Sequence, residues 1–287
     1  MTMLRFPSVR EHASVWIAAS MLLTVAAAAR AEPVTQGTIV SVTQALCDDM
    51  KKHNVIRAGA IVGCERLKLI KVPYVGFDGA TRTDGEIMVM DAAAENVLRI
   101  FARLRDMGFP IAKARLINHY DGSDDASIAD NNTSAFNSRN VAGTSTLSLH
   151  AYGLAIDLNP VQNPYVQRSG GKSRFSPPAG AAYADRLNGQ PEKQLRRGMA
   201  EAVIDVFADE GFLIWGGYWK SATDYQHFQV SRGLAQQLAR LAPTQAQTVF
   251  LQHVARYRAC RSGGGPRSKC IVLDAPAAGF RSSVNGA

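Results

Sequence analysis

The chain has 287 residues, of which 46% are hydrophobic and 20% are charged, and its formal net charge is +8. This composition is ordinary for a globular protein, and the length is sufficient for one sizeable core or two small domains. No zinc-finger spacing or nucleic-acid-binding motif accompanies the positive charge, so a nucleic-acid partner is not expected.

The first residues have the pattern of an export signal. Arg5 and Arg10 precede an uncharged run over residues 13–29, and a small-x-small pattern ends at Ala31. These features predict a signal peptide over residues 1–31 that is cleaved after Ala31. An uncleaved membrane anchor is the alternative, but the run is short for a span, which needs about 20 residues. No later run resembles a transmembrane helix, so no stable membrane span is expected after cleavage.

The portion that follows the predicted signal keeps a positive charge. The formal net charge falls to +6, because the three arginines of the leader outnumber Glu11 by two. A positive surplus in an exported protein suits an anionic polymer such as a bacterial wall, and a basic solvated surface is the alternative interpretation. Periplasmic or secreted localisation is expected.

Four cysteines remain in this portion, namely Cys47, Cys64, Cys260 and Cys270. An even number in an oxidising compartment predicts two disulfides. Of the three possible connectivities we favour the local pairs Cys47–Cys64 and Cys260–Cys270, which would staple the two ends of the mature chain.

The first half of the chain predicts a helix, strands and a second helix. A helix is expected near 41–53, and strands are expected in "RLKLIKVPYVGF" and in "IMVM" (87–90). Asp91 is expected to be the N-cap of the next helix, which ends at Gly108. The residues expected on its buried face are Val97, Ile100, Phe101 and Leu104.

The second half mixes strands, loops and helices. A strand is predicted at 114–120, a long polar loop at 121–147 and a polar Gly/Pro-rich stretch at 159–191. A helix is predicted at about 192–210, and another at 231–257 with an interruption near Pro243. Short strands are expected in "FLIWGG" and "HFQV", and the residues expected to face inward from the 192–210 helix are Leu195, Met199, Val203, Val206 and Phe207. Because βαβ alternation is lacking, the predicted fold class is α+β, with a central antiparallel sheet and flanking helices.

The stretch "SLHAYGLAIDLN" (148–159) places Asp157 within an apolar run. A buried carboxylate is costly unless something pairs with it, and a metal ion is one such partner. In one straight strand, His150 and Asp157 would lie on opposite faces and ~23 Å apart. A turn at Tyr152-Gly153 would bring them together.

The stretch "WGGYWKSATDYQHFQV" (215–230) supplies a second histidine. If "HFQV" is a strand, His227 and Gln229 face one side of it. His150, Asp157 and His227 then form a site for one zinc ion per chain, with a fourth position open for water. Asp224 lies three residues before His227 and is the candidate general base.

Three further residues are candidates with open alternatives. Arg139 is the candidate cation for a developing oxyanion, and a structural ion pair with the Asp-rich loop is its alternative. Ser148 could bind a metal ligand or a substrate carboxylate. Trp219 could line a substrate cleft, or the "WGGYW" aromatic residues could pack in the core. Taken alone, His150 could be a polar loop residue, and Asp157 could be a buried acid that accepts hydrogen bonds. The presence of both residues together with the second motif favours a zinc site.

Two motifs resemble a known peptidase family. "SLHAYGLAIDL" resembles the SxHxxGxAxD motif of the D-alanyl-D-alanine carboxypeptidase and L-alanyl-D-glutamate endopeptidase family, and "DYQHF" resembles its second motif. The resemblance extends from about Val72 to Val230. It implies a hedgehog/D-Ala-D-Ala peptidase-like fold, with His150, Asp157 and His227 as zinc ligands. It also implies Asp224 as catalytic base and Arg139 as the substrate-polarising arginine, although "FNSR" departs from the "YRS"-like form of relatives.

This resemblance implies an exported zinc metallopeptidase that cleaves peptidoglycan stem peptides. D-Ala-D-Ala carboxypeptidase activity is expected first; an L-Ala-D-Glu endopeptidase and a catalytically silent zinc-bearing module are the alternatives. The expected organisation is a signal peptide (1–31), an N-terminal segment (32–71), a zinc peptidase domain (72–232) and a C-terminal helix with a basic tail (233–287).

Overall fold

The computed structural model describes Met1 and residues 37–186, 195–220 and 222–272. The remainder of the predicted signal peptide lies outside the described residues, and none of the described helices combines the length and the apolar character needed to span a bilayer. The α-helices are Gln44–Lys52 (α1), Ala94–Asp106 (α2), Asp124–Ala129 (α3), Ile204–Asp209 (α4), Arg232–Arg240 (α5), Pro243–Ser262 (α6) and Arg267–Val272 (α7). The strands are Thr38–Ser41 (β1), Leu67–Val75 (β2), Thr81–Met90 (β3), Lys113–Ala114 (β4), Asn132–Thr133 (β5), Ala155–Asp157 (β6), Tyr165–Ser169 (β7), Lys172–Ser176 (β8), Ile214–Trp215 (β9), Ala222–Asp224 (β10) and His227–Gln229 (β11).

The described strands are distributed over several small sheets. Three antiparallel sheets have the strand orders β1-β2-β3, β6-β11-β9 and β10-β7-β8, and β4 pairs with β5 in parallel. The mixed composition of helices and antiparallel strands agrees with the predicted α+β class. The prediction of one central sheet is wrong, because the strands that carry the second half of the core are only two to five residues long and pair in separate groups.

The helix α2 packs against the sheet β1-β2-β3. Its predicted apolar face is almost completely buried, which confirms the helical period read from the sequence. The prediction that Asp91 caps this helix is wrong, because a 3₁₀ turn at Asp91–Ala93 precedes it. The Asp91 carboxylate instead forms an ion pair with Arg66, with 2.8 Å between Oδ2 and Nε.

Both predicted disulfides are present. Cys47 of α1 is bonded to Cys64, which begins a short 3₁₀ turn before β2. Cys260 near the end of α6 is bonded to Cys270 of α7. Each disulfide therefore joins neighbouring elements at one end of the described chain.

The strand predicted at 114–120 is mostly absent, because residues 117–120 form a 3₁₀ turn. The Asn132 side chain explains the early end of β4. Its oxygen accepts from the Arg115 N–H (2.8 Å), and its nitrogen donates to the Arg115 carbonyl (2.9 Å), so the groups that would extend the strand are already paired. The predicted loop at 121–147 contains α3, which Ser123 caps, and the short strand β5.

The Gly/Pro-rich stretch at 159–191 contains a β-hairpin. Strands β7 and β8 are joined by Gly170 and Gly171, which both have positive φ (56° and 74°). Glycine at both central positions is typical of a two-residue hairpin turn whose twist matches that of the flanking strands.

The helix predicted at 192–210 is shorter than expected. Residues 192–194 lie outside the described part, Leu195 is exposed rather than inward-facing, and a 3₁₀ turn at Ala200–Val203 precedes α4. The other predicted inward residues of this helix are buried. Phe207 stacks on Phe228 of β11, with 3.9 Å between ring centroids, and thereby fixes that strand against the core.

The C-terminal helix is interrupted where the sequence predicts it. Helix α5 ends before Pro243, and Pro243 occupies the first turn of α6, where a missing N–H costs no helical hydrogen bond. The part of the basic tail after Val272 lies outside the described residues.

Candidate metal centre

A tight turn positions His150. Ser148 Oγ accepts from the His150 N–H (3.3 Å) at the start of a 3₁₀ turn, Leu149–Tyr152. The turn ends at Gly153, whose φ is 65°, and a Cβ there would lie 2.5 Å from the backbone nitrogen of Met90. Only glycine suits this position, which is the reversal predicted at Tyr152-Gly153.

The antiparallel pair of β6 and β11 positions the other two candidate ligands. In its register Asp157 is directly opposite His227, and Ile156 is opposite Phe228. Ile156 and Phe228 are fully buried in the core on one face of the pair. Because side chains alternate along strands, Asp157 and His227 emerge together on the other face.

The three predicted ligands meet at one point, and all are buried. His150 Nε2 lies 3.2 Å from His227 Nδ1 and 3.1 Å from Asp157 Oδ2, and His227 Nδ1 lies 2.9 Å from Asp157 Oδ1. Tetrahedral bonds of about 2.0–2.1 Å to zinc would place neighbouring donors roughly 3.3 Å apart. The donor set and its spacing therefore fit a zinc ion.

Hydrogen bonds on the outer side of each ring orient the histidines. His150 Nδ1 bonds the backbone oxygen of Ala135, and His227 Nε2 bonds Gln229 Oε1 at 2.7 Å. Because these oxygens only accept, each of these nitrogens carries its proton there. His150 Nε2 and His227 Nδ1 face the centre of the cluster, where His227 Nδ1 bonds the Asp157 carboxylate. A metal ion that replaced the proton between His227 and Asp157 would meet a ring lone pair there, as metal-binding histidines require.

The charges of the cluster favour a cation. Burial alone would raise the pKa of Asp157, but the charge and hydrogen bond of His150, followed by those of His227, hold that pKa well below its usual range. Burial would lower the pKa of His227, but its hydrogen bond to Asp157 and the charge of that carboxylate raise it to about 9. Asp157 is thus an anion that draws positive charge to this point, and a metal dication would compete with the imidazole protons for it.

Asp224 is the second carboxylate beside the cluster. It ends β10 and packs closely on the turn after β9, where a Cβ on Gly216 would lie 2.5 Å from the Asp224 backbone oxygen. Burial, followed by the negative charge of Asp157, raises the pKa of Asp224 to about 7. Its Oδ1 is buried and has no hydrogen-bond partner among the described residues. A carboxyl group with this pKa can both accept and donate a proton near neutral pH.

A cleft of about 640 Å³ opens onto the cluster, and Ser148, Trp219 and Asp224 line it with the three candidate ligands. The Trp219 ring lies 5.5 Å from the His227 ring and is partly exposed, whereas Trp215 is buried in the core. In the "WGGYW" segment, Trp219 therefore lies at the cleft and Trp215 packs in the core.

Arg139 also lines the cleft, and its Nη2 donates to Asp124 Oδ2 at 2.6 Å. The ion pair with the Asp-rich segment, one of the two alternatives, is thus present. Arg139 Nη1 donates to the Asn140 carbonyl at 3.3 Å, and Nε is buried without a partner among the described residues.

Sequence reasoning missed part of the cleft. The Ala135 carbonyl has no side-chain signature, and only the fold shows that it orients His150. The hairpin contributes Tyr165, Gln167, Arg174 and Ser176 to the lining. The glycine pair at its turn and the alternation on both sides were the available signal for this hairpin.

Comparison with known proteins agrees with the two motifs. Residues 142–230 match the model of a family described as D-alanyl-D-alanine carboxypeptidase, the M15 zinc peptidases. The matched segment contains His150, Asp157, Asp224 and His227, and Arg139 lies just before it. The family resemblance read from the motifs is therefore confirmed for this segment. Neither the curated proteins nor the solved structures give a significant match to the chain.

Proposed function

We propose that the protein is an exported zinc peptidase that hydrolyses a peptide bond in the stem peptides of bacterial peptidoglycan, with D-Ala-D-Ala carboxypeptidase as the favoured activity. One observation carries the proposal. The buried donors of His150, Asp157 and His227 converge at zinc spacing, beside a carboxylate of Asp224 that has no partner among the described residues. The family match over 142–230 supports a zinc peptidase acting on peptidoglycan in general.

A zinc ion held by His150 Nε2, His227 Nδ1 and the Asp157 carboxylate would supply a Lewis acid for the substrate carbonyl and an activated water. Asp224 is our candidate to take the proton of the attacking water on its unpaired Oδ1 and to return it to the leaving amine. Burial raises the pKa of Asp224, which favours the protonated form that donates to the leaving amine.

Arg139 is our candidate for stabilising the oxygen on which negative charge develops. Its ion pair with Asp124 holds the guanidinium at the cleft, where a cation can stabilise an oxyanion. We assign substrate contacts to Ser148, whose hydroxyl already caps the His150 turn, and to Trp219, whose exposed ring borders the cluster.

Export is part of the proposal. The sequence of residues 1–31 supports a signal peptide, and two disulfides fit a protein of an oxidising compartment. Periplasmic or secreted localisation follows from that interpretation. N-terminal sequencing of the exported protein tests it: a mature chain that begins at Glu32 agrees, and an intact leader contradicts it.

A catalytically silent zinc module is the alternative from a different class. The state of Asp224 argues against it, because a buried carboxylate oxygen without a partner destabilises the fold and a structural zinc site gains nothing from it. The unpaired acid is explained if substrate or water completes its hydrogen bonds during a reaction.

Digestion of purified muropeptides by the zinc-loaded protein tests the function, with products identified by mass spectrometry. Loss of one terminal D-alanine identifies a carboxypeptidase, and a cut between L-Ala and D-Glu identifies the endopeptidase alternative. Asp224→Ala should retain zinc and form no product. Intact muropeptides after incubation with the zinc-loaded native protein would overturn the hydrolase proposal.

A further inference from the structure

One face of the sheet β10-β7-β8 forms a wall of the cleft, which we call the hairpin wall. The register aligns Asp224 with Tyr165, and Tyr165 with Ser176. It aligns Ala222 with Gln167, and Gln167 with Arg174 in the next row. All six of these residues line the cleft, whereas Val166 and Phe175, which alternate with them, pack against the core.

Arg174 differs from the other arginines of the cleft. Arg139 is bonded to Asp124, and Arg232 donates to the Leu147 carbonyl at 2.8 Å. The Arg174 side chain is exposed to the cleft and has no hydrogen bond or ion pair to any residue that the structure describes. Its guanidinium therefore retains its full capacity to bind an anion.

The register places Arg174 at a definite distance from the proposed reaction centre. It lies two strands from β10 and one row from Asp224. Strand spacing of about 4.8 Å and a rise of about 3.4 Å per residue give roughly 12 Å between the Cα atoms of Asp224 and Arg174. An extended peptide advances about 3.3–3.6 Å per residue, so this distance corresponds to roughly three residues of substrate.

We propose that Arg174, assisted by the neighbouring amide of Gln167, forms a subsite for a substrate carboxylate within about three residues of the scissile bond. This subsite rests on the proposed peptidase function and makes it more specific, because it selects stem peptides that are anionic at that position. A guanidinium binds a carboxylate through two parallel hydrogen bonds, and the Gln167 amide adds a third donor. Asp125 also lines the cleft and weakens this attraction, since its charge repels a carboxylate.

Stem peptides with lysine as the third residue carry carboxylates of two sources, which are the free C-terminus and the α-carboxylate of the γ-linked D-glutamate. Three synthetic pentapeptides separate them: the parent peptide, its C-terminal amide, and its analogue with D-isoglutamine in place of D-glutamate. We expect native kcat/KM to fall about tenfold for one of the two amides, a factor typical of a lost hydrogen bond to a charged group. The affected amide identifies the source.

The variants Arg174→Ala and Lys172→Ala test whether Arg174 binds the substrate carboxylate. Lys172 belongs to the same strand but does not line the cleft, so it is the matched control for charge and for the hairpin. Arg174→Ala should lose the discrimination between acid and amide, while Lys172→Ala retains it. Discrimination that persists in Arg174→Ala would overturn the subsite.

A binding measurement separates failure of the subsite from failure of the peptidase function. The same peptides are titrated by calorimetry into zinc-loaded Asp224→Asn, with and without Arg174→Ala. Preference for the acid that depends on Arg174 supports the subsite even if the native protein cleaves nothing, in which case only the peptidase function fails. Equal binding of acid and amide in the presence of Arg174 contradicts the subsite, whether or not the native protein cleaves the parent peptide.

Discussion

The two walls of the cleft differ in how their polar groups are paired. The wall formed by the Leu149–Tyr152 turn, β6 and β11, which we call the ligand wall, is buried, and both of its imidazoles are oriented by outer hydrogen bonds. The hairpin wall contains the unpaired Asp224 Oδ1 and the unpaired Arg174 among the residues described. We infer that the ligand wall is organised in advance to hold a cation, whereas the hairpin wall presents groups that a substrate must complete.

Removal of a candidate zinc ligand from the ligand wall should have the largest effect. His150→Ala removes one of three donors. If it loses about a third of the 10–16 kcal/mol of binding free energy typical of a tightly held zinc, zinc affinity should fall roughly a thousandfold. Peptidase activity should disappear with the metal. Elemental analysis after dialysis measures zinc content, and His119→Ala is the control, because His119 is exposed and lies outside the cluster. Full zinc content in His150→Ala would contradict the ligand assignment.

A change at Asp224 should affect the hairpin wall and leave the ligand wall intact. Asp224→Asn keeps the shape of the side chain but cannot accept the proton of water, so kcat should fall by about 10²–10⁴. Zinc content should equal that of the native protein, because Asp224 is not among the converging donors. The pair of measurements, rate and metal content, distinguishes a general base from a ligand. Loss of zinc in this variant would show that Asp224 of the hairpin wall also contributes to metal binding.

The sequence predicted the ligand wall better than the hairpin wall, and the reason is physical. His150, Gly153 and Asp157 lie within eight residues, and an acid in an apolar strand requires a partner, so local pattern and burial cost indicated the site. Arg174 is an exposed arginine in a polar stretch, and its position depends on the pairing of β7 with both β8 and β10. Register between strands distant in sequence is not visible in local periodicity.

The difference between local pattern and distant contact also explains two of the errors in the predicted fold. The α2 helix was predicted because its apolar face repeats with helical period. The stretch 114–120 predicts a strand, but the side chain of Asn132, seventeen residues beyond Arg115, bonds the backbone groups of Arg115 that a longer strand would use. Asp91 has the chemistry of an N-cap, and a distant Arg66 binds it instead. In each failure a side-chain contact over a long sequence separation replaced the local preference.

A smaller effect is expected from the outer hydrogen bonds of the ligand wall. Gln229→Leu removes the acceptor that holds the Nε2 proton of His227, so the ring loses its preferred tautomer and orientation. Zinc affinity should fall about 10–100-fold, less than for loss of a ligand. Competition with a chelator of known affinity measures the change. Gln236→Leu on the exposed face of α5 is the control for loss of an amide, and equal affinity of the two variants would refute the role of Gln229.

The last two predictions concern stability, on which substitution of Asp224 and substitution of Asp157 should have opposite effects. The pKa of Asp224 is raised from 3.8 to about 7 in the folded protein, so its ionisation destabilises the fold increasingly from about pH 4 and reaches its full effect above pH 7. Asp224→Asn abolishes that cost, which at 1.36 kcal/mol per pKa unit is a few kcal/mol at most. Melting of the chelator-treated protein should show the variant more stable than the native chain at pH 8 by several degrees, and about equal at pH 4.

Asp157→Asn should do the opposite in the same experiment, because the pKa of Asp157 is lowered by its two histidines. The ionised Asp157 stabilises the fold above its unfolded pKa, and that contribution is lost as the pH falls through its lower folded value. The variant should therefore melt below the native chain at neutral pH. If both substitutions shifted the melting temperature in the same direction at pH 8, the contrast between a paired acid in the ligand wall and an unpaired acid in the hairpin wall would be wrong.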